Sequence, residues 1–286
     1  MISSSTRFRS QLEIGRQQRL AQDIARAQTE ISSGKRIQAP SDDPVGASRV
    51  AQIGRSQAEG TVWKRNVETA GALASRADTA LGSVATVLDR AKELMLTATN
   101  GTSSAENRAT IAIELRSIAE EIRSLAAAKD FRGAPLFSAG DALAIPVGEG
   151  ISVAPVDTAR NIFGSIATRT GDADLEVIIL TAADAITRAD PAVRSTMGKD
   201  SLDAIDAAST HVATKRSEQG LRAERLDTIR ERLEDTGVKM VEERSGIEST
   251  NVVEAIARIR SREVTLEAAQ AIYSQLNQST LFDMLR

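Results

Sequence analysis

The chain has 286 residues, a formal net charge of −3 and no cysteine. Disulfide frameworks and thiolate metal sites are therefore excluded, and the basic footprint of a nucleic-acid-binding protein is absent. Aromatic residues make up only 2% of the chain, so Ala, Leu, Ile and Val must form the buried surface, which favours packing of helix on helix. No stretch is long and apolar enough to span a membrane, and we expect no Sec signal peptide, because no apolar segment follows the first basic residues.

The first predicted helix runs from about Thr6 to Ser33. Its apolar residues recur at steps of four and three, which places one narrow stripe on one side of the helix, as in the seam of a coiled coil. The stripe consists of Leu20, Ile24, Ala27 and Ile31, and Phe8 and Leu12 extend it. Gly34 follows the predicted end of the helix, where a residue in the left-handed conformation is expected.

A connector from Gly34 to Pro44 precedes the longest predicted helix. Asp43 followed by Pro44 is a typical N-cap and first-turn pair. The helix is predicted over residues from about Val45 to Ala98, and from Ala70 to Met95 its apolar row holds the four–three spacing without interruption. Such a rod needs other helices beside it along its length.

Asn100-Gly101 ends this helix, and Ser103 with Glu106 predicts a capping box for the next one, which should fold back antiparallel. Glycines, prolines and short alternating runs then follow from Lys129 to about Gly171. This composition predicts a small excursion of several short strands.

Helical periodicity resumes near Asp174, and a second long helix is predicted from about Asp200 to Arg244. Gly246 and the segment Ser249-Thr250-Asn251 are expected to interrupt it. Asn251 with Glu254 should cap the final helix. Its stripe, broken only by Arg262, consists of Ala255, Ile259, Leu266, Ala269, Tyr273 and Leu276. The chain then ends in an apolar segment containing Leu281, Phe282 and Leu285, which we expect to be covered by a partner.

These elements predict a mainly α fold of long antiparallel helical rods or coiled coil, with the N- and C-terminal helices paired and a small β-rich insertion. Residues 1–40 and 250–286 would form a terminal coiled-coil assembly domain, 41–135 and 172–249 a helical rod domain, and 136–171 an outer insertion. The two terminal stripes and the apolar end together form the predicted assembly seam. Changing Leu266 or Leu276 to Asp is expected to leave the helicity of the monomer nearly intact and to abolish assembly.

Residues that could support catalysis have simpler explanations. His211 is the single histidine, whereas a metal site needs three or four converging ligands. Acid pairs such as Glu120-Glu121 are explained as helix caps or solvated faces. We predict no catalytic, metal-binding or cofactor-binding residue, and we do not expect an enzyme.

A set of short segments, taken in order, resembles the bacterial flagellin superfamily. They are the segments at residues 30–37, 41–48, 100–103, 107–108, 131–133 and 136–138, together with the C-terminal helix. Within the superfamily, the Asp42-Asp43 pair flanked by prolines and the segment from Ala159 to Gly164 are more similar to the FlgL family of hook–filament junction proteins. The segment from Asp89 to Leu94 is more similar to flagellins, which remain the alternative.

The resemblance implies a structural subunit of the flagellum, secreted through the flagellar type III apparatus. Its terminal helices would stay poorly ordered until assembly, a cytoplasmic export chaperone would cover the C-terminal helix, and the partners would be other copies, flagellin and the junction protein FlgK. Lateral contacts between subunits would involve charged rod residues, namely Arg90, Lys92, Glu93, Arg108 and Glu114. A cytoplasmic coiled-coil adaptor is the alternative outside the flagellum.

Overall fold

The computed structural model describes the backbone of residues 2–284 and the side chains of residue 8 and residues 11–275. The predicted mainly α fold is confirmed, with long helices and two small antiparallel strand pairs. The described elements, in chain order, are α1 (Ile2–Ser33), α2 (Pro44–Thr99), α3 (Ala105–Ala126), β1 (Ile145–Gly148), β2 (Ile151–Val153), α4 (Ala159–Phe163), β3 (Ile166–Thr168), β4 (Gly171–Ala173), α5 (Leu175–Thr187), α6 (Pro191–Glu248) and α7 (Val252–Met284).

The chain divides into two compact units. The first contains the residues up to 58 and those from 237 onward, and the second contains residues 59–236. Helices α2 and α6 each contribute to both units. The domain limits predicted near residues 40 and 250 coincide with breaks between helices and differ from the limits of these units, so the extent of an assembly domain stays a prediction.

The beginning of α2 is as predicted, whereas the beginning of α6 is not. Asp43 Oδ1 accepts a hydrogen bond from the N–H of Gly46 at 2.8 Å, and Pro44 is the first residue of α2. Helix α6 begins at Pro191 rather than near Asp200, because Asp190 Oδ1 accepts the N–H of Ala192 at 2.8 Å. The same Asp-Pro signal is therefore used twice. The predicted interruption at Gly246 was wrong, since α6 continues through it to Glu248. The interruption predicted at Ser249-Thr250-Asn251 is confirmed, since these residues separate α6 from α7.

Two further helix ends test the predicted caps. The N-cap of α3 is Ser104, one residue after the predicted Ser103, and its hydroxyl accepts the N–H of Asn107 at 3.1 Å. Asn251 caps α7 as predicted, with its Oδ1 accepting the N–H of Glu254 at 3.3 Å. At the end of α1, Gly34 has φ of +68°, the left-handed conformation expected of it.

The second unit has one main apolar core in its described residues, which α2, α3, α5 and α6 build together with α4 and β3. Every member of the predicted row of α2 from Ala70 to Met95 is buried. The largest fully buried side chains of the four helices include Leu81, Leu88, Leu115, Ile179 and Ile205. The ion pairs Asp78–Arg216 and Lys92–Asp206 show that α2 and α6 run antiparallel in this unit.

The predicted β-rich excursion consists of two separate hairpins with the short helix α4 between them. Strand β1 pairs with β2 and β3 pairs with β4, both antiparallel, and the second hairpin extends to Ala173, two residues beyond the predicted end. Val147 and Val153 of the first hairpin pack in one apolar cluster with Val67 of α2 and Leu226 of α6. The hairpin is therefore anchored on the rods of the second unit.

Candidate assembly surfaces

Helices α1 and α7 pack against each other in the first unit, as predicted from their matching stripes. Arg258 Nη2 lies 2.8 Å from Glu30 Oε2, and Arg262 Nη1 lies 3.2 Å from Asp23 Oδ2. Since the earlier residue of α7 pairs with the later residue of α1, the two helices run antiparallel. Arg262, which interrupts the stripe in the sequence, extends to an acid on the partner helix and so flanks the contact.

The predicted seam residues whose side chains the structure describes lie on the sides of α1 and α7 that face each other. Ala27, Ala255 and Ala269 are buried. The other seam residues with described side chains are half-buried: Leu20, Ile24, Ile31, Ile259, Leu266 and Tyr273. The fully buried seam residues are thus alanines, whereas the larger seam side chains keep part of their surface in water.

Other predicted members of the terminal stripes differ in position. Phe8 and Leu12, which extend the stripe of α1 in the sequence, are exposed. The structure does not describe the side chains of Leu276, Leu281 and Phe282, and Leu285 lies outside the described residues.

A second apolar row lies on α7, on the face turned away from α1. Val253 and Val264 are 78% and 66% exposed, and they are about three helical turns apart on one side. The row, which we call the distal face of α7, consists of Val253, Ala257, Val264, Ala268 and Ala271, all exposed. Sequence reasoning missed it, although Val253, Ala257, Arg260 and Val264 repeat the four–three spacing of the seam at an offset of two residues. The repeat is then interrupted, because Glu267 occupies the next offset position and Ala268 continues the apolar row.

The residues predicted to make lateral contacts are largely paired within the chain. Arg90 Nη2 lies 2.7 Å from Glu114 Oε1, which connects α2 to α3, and this contact raises the pKa of Arg90. Lys92 Nζ lies 2.6 Å from Asp206 Oδ1, which connects α2 to α6, and the guanidinium of Arg108 donates to the carbonyl of Ser103. Glu93 is the most exposed of these carboxylates. Their role between subunits stays a prediction.

His211, the single histidine, contacts the short helix α4. His211 Nε2 lies 3.1 Å from the carbonyl oxygen of Asn161 and 3.2 Å from that of Ile162, so it contacts α4. Among the described residues, no three His, Asp or Glu side chains converge as metal ligands. Over the same residues, no helix combines the length and apolar character that crossing a membrane requires.

Comparison with known proteins defines the class of this chain. Residues 10–141 match the family model "Bacterial flagellin N-terminal helical region", and residues 202–285 match "Bacterial flagellin C-terminal helical region". The chain therefore belongs to the bacterial flagellin family, whose members are structural proteins of the flagellum.

Individual relatives come from two branches of this family. Flagellar hook-associated protein 3 of Salmonella typhimurium is 25% identical, and the match covers 90% of this chain and 91% of that protein. A flagellin of Halalkalibacterium halodurans is 24% identical, with 88% of each chain covered. The crystal structure of Xanthomonas campestris FlgL has the same fold, with a TM-score of 0.60, 16% identity and coverage of 68% of this chain and 99% of that one.

Proposed function

We propose that this chain is a structural subunit of the hook–filament junction and that it acts by assembly rather than by catalysis. Support comes from its likeness to hook-associated protein 3 over nearly the full length of both chains. The prolines that flank Asp42-Asp43 and the segment from Ala159 to Gly164, both similar to the FlgL family, support the same assignment. Flagellins of similar identity make the filament subunit the second candidate.

The distal face of α7 is the surface that we assign to assembly. The seam residues already pack within one chain, whereas Val253 and Val264 have most of their surface in water. Burying a valine side chain completely contributes about 1.5–3 kcal/mol, so covering the exposed part of these two would contribute roughly 2–4 kcal/mol per subunit. The conformational entropy lost when α1 and α7 become ordered opposes this gain. A neighbour that covers the face would therefore help to stabilise the ordered α1–α7 pair.

Other copies of the chain are the partners proposed for the distal face. FlgK and flagellin are proposed for the two ends of the junction, and a flagellar export chaperone for α7 before secretion through the type III apparatus. Like the lateral role of Arg90 and its neighbours, these partners rest on the resemblance to the family.

Deletion of the gene distinguishes the two candidate functions. Without a junction protein, cells should build hooks and release flagellin monomers into the medium, because the filament has no base on which to grow. Without a sole flagellin, cells should carry bare hooks and release none. Immunoblotting of the culture medium together with electron microscopy of the hooks measures both outcomes. Normal flagella in the deletion strain would contradict both candidates.

A further inference from the structure

A turn between α3 and β1 holds an aromatic side chain in water. We call the segment from Lys129 to Pro135, whose ends form an antiparallel bridge, the Phe131 turn. Gly133 has a φ of +83° and lets the chain reverse direction there. Phe131 is 61% exposed, and the guanidinium of Arg132 lies 5.5 Å from the centre of its ring. The two side chains form an exposed pair at the tip of the turn.

The buried carboxylate of Asp130 fixes the shape of this turn from inside. It accepts the N–H groups of Arg132 and Ala134 at 2.8 and 2.9 Å, and the Nε–H of Arg132 at 3.1 Å. Leu136, directly after the turn, is buried in the core of the second unit. A side chain on an ordered turn loses little freedom when it binds, and Phe and Arg are both enriched at protein–protein interfaces. The turn therefore suits contact with another chain.

A crevice between the β3–β4 hairpin, α5 and α6 has a size that matches the ring of Phe131. Its volume is about 120 Å³, and an apolar cavity of roughly 150 Å³ holds benzene. Ile178, Met197 and Ala204 form the apolar part of its lining. A methionine sulfur also makes favourable contacts with aromatic rings. This place, which we call the α5–α6 crevice, is large enough for the side chain of one phenylalanine.

The polar part of the lining suits the groups beside that ring. Ser201 is only 5% exposed, and its hydroxyl has no hydrogen-bond partner among the described residues, whereas buried hydroxyls usually have one. Asp200 Oδ1 accepts Nη1 of Arg169 at 3.1 Å, and the Arg169 side chain is largely exposed. Ion pairs with exposed side chains are weak, so the carboxylate of Asp200 remains available to a second guanidinium. The crevice thus offers an apolar floor with an acid and a free hydroxyl beside it.

We propose that the ring of Phe131 in one subunit occupies the α5–α6 crevice of a neighbouring copy, with Arg132 beside the Asp200 of that copy. The inference rests on the proposed function, because it names a second surface through which copies meet, independent of the distal face of α7. The turn and the crevice belong to different elements of the same unit, so each copy gives its turn to one neighbour and its crevice to another. Contacts of this heterologous kind repeat from copy to copy and generate rings or helical assemblies.

A photoreactive analogue of phenylalanine tests the position of the ring directly. A phenylalanine that carries a diazirine would replace Phe131 in cells, and their isolated flagella would be irradiated and analysed by denaturing electrophoresis and mass spectrometry. The expected product is a covalent dimer in which position 131 is joined to Ile178, Met197 or another residue of the crevice lining. The same analogue at Leu143, an exposed residue in the same part of the chain, is the matched control and should not label the crevice.

Competition for assembly measures how much the contact contributes. Cells would make the native chain and one variant in equal amounts, and mass spectrometry would give their ratio in isolated flagella. Phe131→Ala removes the ring, and Thr181→Trp fills the crevice from its exposed rim. Each should be incorporated roughly tenfold less than the native chain, as is usual for the loss of an interface anchor. Leu143→Ala should be incorporated like the native chain.

The free variants separate loss of the contact from loss of the fold. Phe131 and Thr181 are exposed, so the melting temperatures of both variants should stay close to that of the native chain. Incorporation of Phe131→Ala at the native level would overturn the inference. A photoreactive residue at position 131 that labels only its own chain, flagellin or another flagellar protein would overturn it as well. Either result leaves the junction assignment to be decided by the deletion strain, because both are obtained from cells in which the chain assembles.

Discussion

Aspartate substitutions at Val264 and Leu266 provide a sharp test of which face of α7 meets a neighbour. The two positions are two residues apart, which is about 200° around the helix axis. Val264 lies on the distal face and is 66% exposed, whereas Leu266 is half-buried on the side facing α1. From the sequence, Leu266→Asp is expected to leave the monomer's helicity nearly intact. Because Leu266 is half-buried against α1, its replacement by Asp should instead destabilise the α1–α7 contact within the monomer.

The expected magnitudes differ between the free chain and the flagellum. In the free chain, Val264→Asp should change the free energy of unfolding by no more than about 0.5 kcal/mol, as is usual at exposed positions. In the assembled structure, an unpaired carboxylate would be buried at the same point in every subunit, at a cost of several kcal/mol each. Leu266→Asp should weaken the α1–α7 contact in the free chain by about 2–4 kcal/mol.

Circular dichroism and hydrogen exchange measure the free chains, and swimming assays with electron microscopy measure assembly. Val264→Ile, which keeps the apolar surface, is the control and should assemble. Normal flagella in cells that make Val264→Asp would refute the assignment of the distal face, and so would an α1–α7 contact that Leu266→Asp leaves intact.

Three other predictions concern stability. Arg258→Ala should destabilise the α1–α7 contact by about 1–3 kcal/mol, because the carboxylate of Glu30, only 7% exposed, loses its cation. Thermal melts should measure this loss, and the double variant that also carries Glu30→Gln should recover part of it. Leu88→Ala, in the core of the second unit, should lower the free energy of unfolding by about 2–5 kcal/mol in urea titrations while leaving exchange in α1 unchanged. Asp42 and Asp43 have a lowered pKa in the folded chain, so their contribution to stability should be complete well above their ordinary pKa of 3.8 and should disappear as the pH falls below it. Hydrogen exchange of residues 38–46, whose N–H groups donate to these carboxylates, would be measured between pH 6 and pH 3, on the scale of these pKa values. It should accelerate at the acid end in the native chain and less so in Asp42→Asn/Asp43→Asn.

Periodicity and capping residues predict most of the helical elements. The uninterrupted row from Ala70 to Met95 is buried throughout, because only one side of a rod can face the core. Asp43-Pro44 marks a helix start for local reasons, and Asp190-Pro191 does the same for α6. The second start was missed because the apolar pattern there is weak, although the capping signal is equally clear.

The assembly surface was harder to infer. A stripe on a helix shows that something covers it, but the stripe does not identify the covering element. The stripe containing Ala255 and Leu266 is covered by α1 of the same chain, which left the row through Val253 and Val264 unnoticed. Contacts such as that of Arg36 with Ile247 join residues 211 positions apart, and no local pattern predicts them.

Thiol reactivity at the distal face is the most direct measurement of the central claim, because the chain has no cysteine of its own. Val264→Cys and Leu266→Cys would be labelled with a maleimide, first in the free chain and then in flagella isolated from cells that make each variant. We expect Val264→Cys to react faster than Leu266→Cys in the free chain and both to be protected in the flagellum. Equal reactivity of Val264→Cys in the free chain and in the flagellum would contradict the claim that a neighbouring copy covers this face.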